Sequence, residues 1–145
     1  MPLDKTKIGL TSPVEYFDIE KGHIRRFAEA IGDTLDIYYS DEAAKAAGYS
    51  AIPAPPTFAT IFRPKFNMRD ALNIDMTKVL HGGQKFEYER PLLAGETIGI
   101  TQKVADIYTK EGKSGGMDFL VVDQEGRDKS GAVVFRARST TVVRH

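Results

Sequence analysis

GDTLDIYYSDEAAKAAGYSAIPAPPTF, residues 32–58, is the stretch on which the fold turns. Gly32 ends a helix, as glycine does where the chain must adopt a left-handed conformation. An acidic turn follows, and Ser40 or Asp41 caps a short Ala-rich helix that Gly48 closes. Pro53, Pro55 and Pro56 then make an extended, stiff segment, because each fixes its own φ and restricts the residue before it. Pro56 suits the first position of a following buried helix, with Phe58, Ile61 and Phe62 on one face. Pro64 breaks or kinks that helix early. Any chemistry is expected where this stretch meets the sheet that follows.

Upstream, Val14, Tyr16 and Phe17 form a short apolar patch, and Asp18 is a candidate N-cap. Ile24, Phe27, Ala28 and Ile31 keep the i, i+3, i+4, i+7 spacing of one buried helical stripe, with Arg25, Arg26 and Glu29 opposite. Downstream, a polar stretch allows one helical turn around residues 69–72. From Val79 the period becomes two. Leu80, Gln84, Phe86 and Tyr88 share one face of a strand, which Pro91 ends. Ile98, Ile100 and Val104 alternate, then Ala105 and Ile107 take over the parity, which predicts a bulge near residues 104–106. KEGKSGG is a hairpin loop. Met117, Phe119 and Val121 alternate, with Leu120 and Val122 between them suggesting burial on both faces. QEGRDKSG turns the chain into a last strand through Val133, Phe135, Ala137 and Ser139. Helices first and four antiparallel strands after them give an α+β class, with helix packed on one sheet face.

The chain has 145 residues, which suits a single domain spanning 1–145. Its 20 basic and 20 acidic residues are intermixed. Neither a nucleic-acid stripe nor a polybasic membrane segment is present, and no apolar run is long enough to span a bilayer. The start, MPLDKTKIGLTSPV, lacks the pattern of a signal peptide. These features predict a cytoplasmic location. There is no cysteine, which excludes disulfides and thiolate chemistry. The three histidines, His23, His81 and His145, are too dispersed to suggest a metal site. His23 is expected in solvent.

FAEAIGDTLDIYYSDEAAKAAGYSAIPAPPTF followed by LHGGQKFEYERPLLAGETI resembles the MaoC-like (R)-specific enoyl-thioester hydratases and dehydratases. It is most similar to the N-terminal, fatty-acid-synthase-like half of the two-part members, over roughly residues 14–101. The resemblance implies a hot-dog fold, a curved antiparallel sheet wrapped around a central helix. The family signature reads Gly-Asp, a spacer, Asn-Pro-Ile-His, then Asp. Gly32, Asp33 and Ile37 match it. Leu35-Asp36 replaces Asn-Pro, Tyr38 stands at the histidine, and Ser40 takes the final Asp position.

That departure sets the functional expectation. Hydrating an α,β-unsaturated thioester needs a base for water and a proton source for the α-carbon. A tyrosine, ordinarily titrating near pH ~10, is a poor neutral-pH base. The resemblance therefore implies a subunit of an (R)-specific enoyl-CoA or acyl-carrier-protein hydratase/dehydratase that shapes the acyl tunnel beside a histidine-bearing partner. Two rivals stay open: a non-catalytic acyl-thioester-binding homodimer, and a competent homodimer using Asp33 with Tyr38 or His81. No cofactor is implied beyond the coenzyme A or carrier protein that holds the substrate. An unpaired sheet edge predicts a dimer whose two sheets join.

Each candidate has a structural alternative. Asp33 is a candidate acid or a turn-forming carboxylate, and Tyr38 a hydrogen-bond donor or a packed aromatic. Thr57 and Phe58 lie where, in the family, backbone N–H groups near the helix start bind the thioester oxygen, or they simply cap the helix. His81 faces the thioester or the subunit boundary. Gly82 and Gly83 mark a bulge or a close backbone approach, to a partner or a pantetheine arm. Ala51, Ile52, Ile61, Phe62 and Phe66 are tunnel candidates. Arg63, Lys65 and Arg69 are candidates for the phosphates of coenzyme A, or a solvated face.

Overall fold

In a computed structural model describing residues 2–145, five antiparallel strands form one sheet in the order β1-β3-β4-β5-β2. The strands are β1 (Glu15–Asp18), β2 (Val79–Tyr88), β3 (Thr97–Gly112), β4 (Gly115–Arg127) and β5 (Val133–Arg144). The helices are α1 (Lys21–Ala30), α2 (Asp41–Ala46) and α3 (Met68–Ala71). The fold is a single α+β hot dog.

Strand register defines the inner face. Ile98, Ile100, Val104 and Ile107 of β3 lie there with Leu120 and Val122 of β4 and Phe135, Ala137 and Val143 of β5. The expected bulge is present: pairing slips between Val104 and Asp106, so Ala105 is the extra residue and Ile107 stays inside. Gly126 lies opposite Phe135 in the same register. A Cβ on Gly126 would sit 2.2 Å from that ring, so the close approach requires glycine.

Two apolar clusters fill the inner face. The larger joins Ile24 and Ala28 of α1 to Tyr38, Ala44, Ile52, Phe58, Phe62, Leu92, Ile98, Ile100 and Phe135. The smaller joins Leu3, Met68 and Leu72 to Val104, Ile107, Leu120 and Val143. Phe58 is fully buried, with His23, Phe27 and Phe62 packed edge-on around it. His23 is therefore half-buried against an aromatic ring, not solvated as its place in the first turn suggested.

The segment inside the sheet is shorter than a central helix. It is one 3₁₀ turn, Phe58–Ile61. Phe62 is already extended, at φ −69° and ψ 117°. Pro56 and Pro64 leave seven residues between them, and Pro64 biases Arg63 out of helical space. So few residues cannot repay the cost of nucleating an α-helix.

Four further details depart from expectation. Residues 15–18 are an edge strand, and Asp18 caps nothing; its carboxylate accepts from Thr97 Oγ1 at 2.8 Å. Glu20 holds the N-cap position of α1. KEGKSGG is mostly strand, with only Lys113 and Ser114 turning between paired Gly112 and Gly115. In β2 the register shifts between His81 and Gly83. That bulge keeps Gln84, Phe86 and Tyr88 on the inner face with His81 and sends Leu80 outward, 51% exposed.

Candidate functional site

The signature stretch folds through local hydrogen bonds. Gly32 adopts φ +72°. Asp33 N–H donates to Ala28 O at 2.9 Å, and its Oδ1 accepts from Leu35 N–H at 3.1 Å. The Tyr39 hydroxyl donates to Asp33 O. Asp33 thus makes an Asx turn just beyond α1. Ser40 caps α2, its Oγ accepting from Ala43 N–H at 3.2 Å.

Tyr38 projects into the larger core cluster and is 7% exposed. Burial, then the charge of Asp33, then neighbouring Tyr49 raise its phenol above the ordinary tyrosine range. The group is a neutral phenol at physiological pH, able to donate a hydrogen bond but not to serve as base. Its hydroxyl makes no hydrogen bond to another described residue and is not sealed from solvent.

Ile52 and Ala54 pair with the β2–β3 loop: Ala54 N–H donates to Leu92 O and Ala94 N–H to Ile52 O, both at 2.8 Å. That loop is held by Arg90, which grips Glu96 through two nitrogens at 2.9 and 2.7 Å and reaches Asp128 at 3.2 Å. The Phe58 N–H donates to Pro55 O at 2.9 Å. Of the two donors considered for a thioester oxygen, only Thr57 N–H lacks a backbone partner.

An inner-face cleft lies between the sheet and residues 59–69, and measures about 540 Å³. Phe62, Phe66 and Met68 wall one side. His81, Gln84 and Phe86 of β2, Gln102 of β3, Val122 and Gln124 of β4, and Ala137, Ser139 and Thr141 of β5 form the other. Arg63, Lys65 and Arg69 also line it, and none is ion-paired among the described residues.

The cleft gathers some of the expected residues and leaves others apart. Phe62, Phe66 and His81 line it together with the three cations. Phe62 also belongs to the larger core cluster, alongside Tyr38 and Phe58. Asp33, Tyr38, Thr57 and Gly82 do not line it. Ile52 is core, 3% exposed, and Ala51 lies by Lys21 and Asp41. Gly82 makes its close approach within the chain, because a Cβ there would meet Val142 Cγ2 at 3.0 Å and Thr140 O at 3.1 Å. Gln102, Gln124, Ser139 and Thr141 were not legible as site residues. The available signal was an amide or hydroxyl at an inward position of an alternating apolar strand.

Comparison with known proteins matches the model of the FAS1-like dehydratase domain region to residues 6–137. The chain belongs to that family. A UPF0336 protein of Saccharopolyspora erythraea is 39% identical over 99% of this chain and 93% of its own length. Another UPF0336 protein, from Streptomyces avermitilis, is 36% identical over 99% and 97%. Among solved structures, the HadBC (3R-hydroxyacyl-ACP dehydratase) complex of Mycobacterium tuberculosis superposes with a TM-score of 0.76 at 24% identity, over 94% of this chain and 96% of that one. The ChsH1–ChsH2 complex of the same organism gives 0.78 at 24%, over 96% and 90%. A MaoC-like dehydratase gives 0.82 at 23%, over 96% of this chain but 42% of that longer one. At such identities these structures establish the hot-dog architecture. The family match makes this a FAS1-like dehydratase domain.

Proposed function

We propose that this FAS1-like dehydratase domain is the histidine-lacking half of an (R)-specific enoyl-thioester hydratase or 3-hydroxyacyl-thioester dehydratase. In this reading its cleft receives the acyl group and a histidine-bearing hot-dog partner supplies the base. The observation that carries the reading is Tyr38: the signature histidine's place holds a buried phenol whose titration is pushed away from neutrality. The cleft nevertheless stays open and is flanked by three cations free of ion pairs. Such cations suit the phosphates that coenzyme A and a carrier's pantetheine arm bring.

In the hydration direction the partner's base takes a proton from water as the oxygen adds to the β-carbon. The α-carbon then gains a proton and the thioester carbonyl is restored. This domain's contribution is placement: Phe62 and Phe66 pack the acyl chain, and Thr57 N–H is the available backbone donor near the 3₁₀ turn. The partner joins at β2, the long free edge where Leu80 stands exposed beside His81 and Gln84. Two of the structural relatives are themselves two-component complexes, which supports a paired arrangement.

Substitution in the reconstituted pair tests the assignment. Tyr38→Phe and Asp33→Asn are expected to keep hydration of crotonyl-coenzyme A within about threefold, the scale of losing one modest hydrogen bond. A loss of a hundredfold or more, the ordinary cost of removing a general acid or base, would place the chemistry in this chain.

A further inference from the structure

One feature of the cleft does not fit a tunnel for a plain alkyl chain. Between the two apolar clusters runs a polar band, Gln102, Gln124, Ser139 and Gln84, ending with Thr141 and His81 at the β2 side. Strand register explains the band. Gln102 opposes Gln124, Ser139 opposes Gln84 and Val122, and Thr141 opposes His81, all on the inner face. With strands spaced by about 4.8 Å, the four strands from β3 to β2 carry it across roughly 14 Å.

These side chains are uncommitted. Gln102 is fixed by its backbone N–H, which donates to Ser12 Oγ at 2.8 Å, while its amide bonds to no other described residue. The side chains of Gln84, Gln124, Ser139, Thr141 and His81 likewise have no described partner. None is sealed away with an orphaned atom; all open to the cleft. The apolar surroundings are tight by contrast, with Ile100, Val104 and Phe135 fully buried. A methylene chain laid over this band would strip water from several amides and hydroxyls without replacing their hydrogen bonds, an uncompensated cost at each group.

Resting on the acyl-thioester reading above, we propose that the polar band selects acyl groups that carry a hydrogen-bonding function beyond the β-carbon. A hydroxyl or carbonyl would engage Gln102, Gln124 and Ser139 while Phe62, Phe66 and Val122 hold the intervening carbons. Glutamine suits this role because its amide both donates and accepts. Specificity arises as much by rejection as by attraction, because an acyl group lacking the polar function leaves the amides unpaired.

Calorimetric titration of the full chain, alone and with its histidine-bearing partner, tests this. The probes are hexanoyl- to decanoyl-coenzyme A and the matched ω-hydroxyacyl thioesters. At least one hydroxylated member is expected to bind about tenfold or more tightly than its alkyl counterpart, the scale of one satisfied hydrogen bond. The Gln102→Leu/Gln124→Leu double variant should abolish or invert that preference while circular dichroism stays unchanged. If that variant does not fold, Gln84→Leu at the more exposed end of the band carries the same readout, with a smaller expected loss. Equal or tighter binding of the alkyl series overturns the selectivity while sparing the acyl-thioester reading. Failure of every thioester to bind in both settings overturns both.

Discussion

At the residue scale, the most constrained polar group lies outside the cleft. Asp118 of β4 is 1% exposed. It accepts from Leu3 N–H at 2.7 Å and Thr109 Oγ1 at 2.6 Å, and His145 Nε2 lies 3.1 Å away. Burial raises its carboxyl, but the hydrogen bonds from Thr109, Leu3 and His145 outweigh that and lower it below the usual range. A carboxylate with a depressed folded value stabilises the fold above its unfolded value of about 3.9, and that contribution is lost as pH falls through the folded value. Asp118→Asn should therefore cost about 2 kcal/mol at pH 7 in urea unfolding and flatten the acid limb of stability against pH. Gly126→Ala tests packing at the same scale. With Phe135 2.2 Å from the added Cβ, destabilisation of about 1–3 kcal/mol is expected, visible as a lower urea midpoint with an unchanged slope.

At the element scale, the four long strands and the bulge at Ala105 were legible because apolar side chains mark each face. Their spatial order was not: short loops read as joining neighbours, whereas β2 pairs with β5 rather than with β3. The second bulge was signalled only by the glycine pair, as one of two readings. Because Gly82 has no side chain to show the parity change, Leu80 was read on the inner face, whereas it points outward. Strand β1 hid because it is only four residues long and Tyr16 on it is 72% exposed. The central helix was overestimated because Phe58, Ile61 and Phe62 fit a helical face, yet Pro56 and Pro64 confine the segment to one 3₁₀ turn. Phe62, Phe66 and His81, named from the chain, line the cleft, and Gln84 was already read on the apolar face of its strand. Gln102 and Gln124 were not named, since an isolated polar residue in a strand reads as a solvent position. Leu80→Lys on the free β2 edge should weaken pairing of the two sheets, seen as a fall toward monomer mass in sedimentation velocity. An unchanged mass would move the interface elsewhere.

At the scale of the whole molecule, one sheet, two apolar clusters and a cleft between them describe a hot dog whose cleft is lined by no carboxylate among the described residues. No described helix is long and apolar enough to cross a membrane. Asp33 spends its carboxylate on a turn, and Tyr38 is buried in the core. No residue of the signature stretch, 32–58, lines the cleft; the stretch packs in the larger core cluster beside it, and under the proposed function the proton chemistry belongs to a second subunit. Hydration of crotonyl-coenzyme A, measured with the purified chain and again after adding a hot-dog partner bearing the intact Asp–Asn-Pro-Ile–His signature, tests that division most directly. Activity only in the pair is the predicted result. Full activity of the chain alone, abolished by Asp33→Asn or Tyr38→Phe, would contradict it.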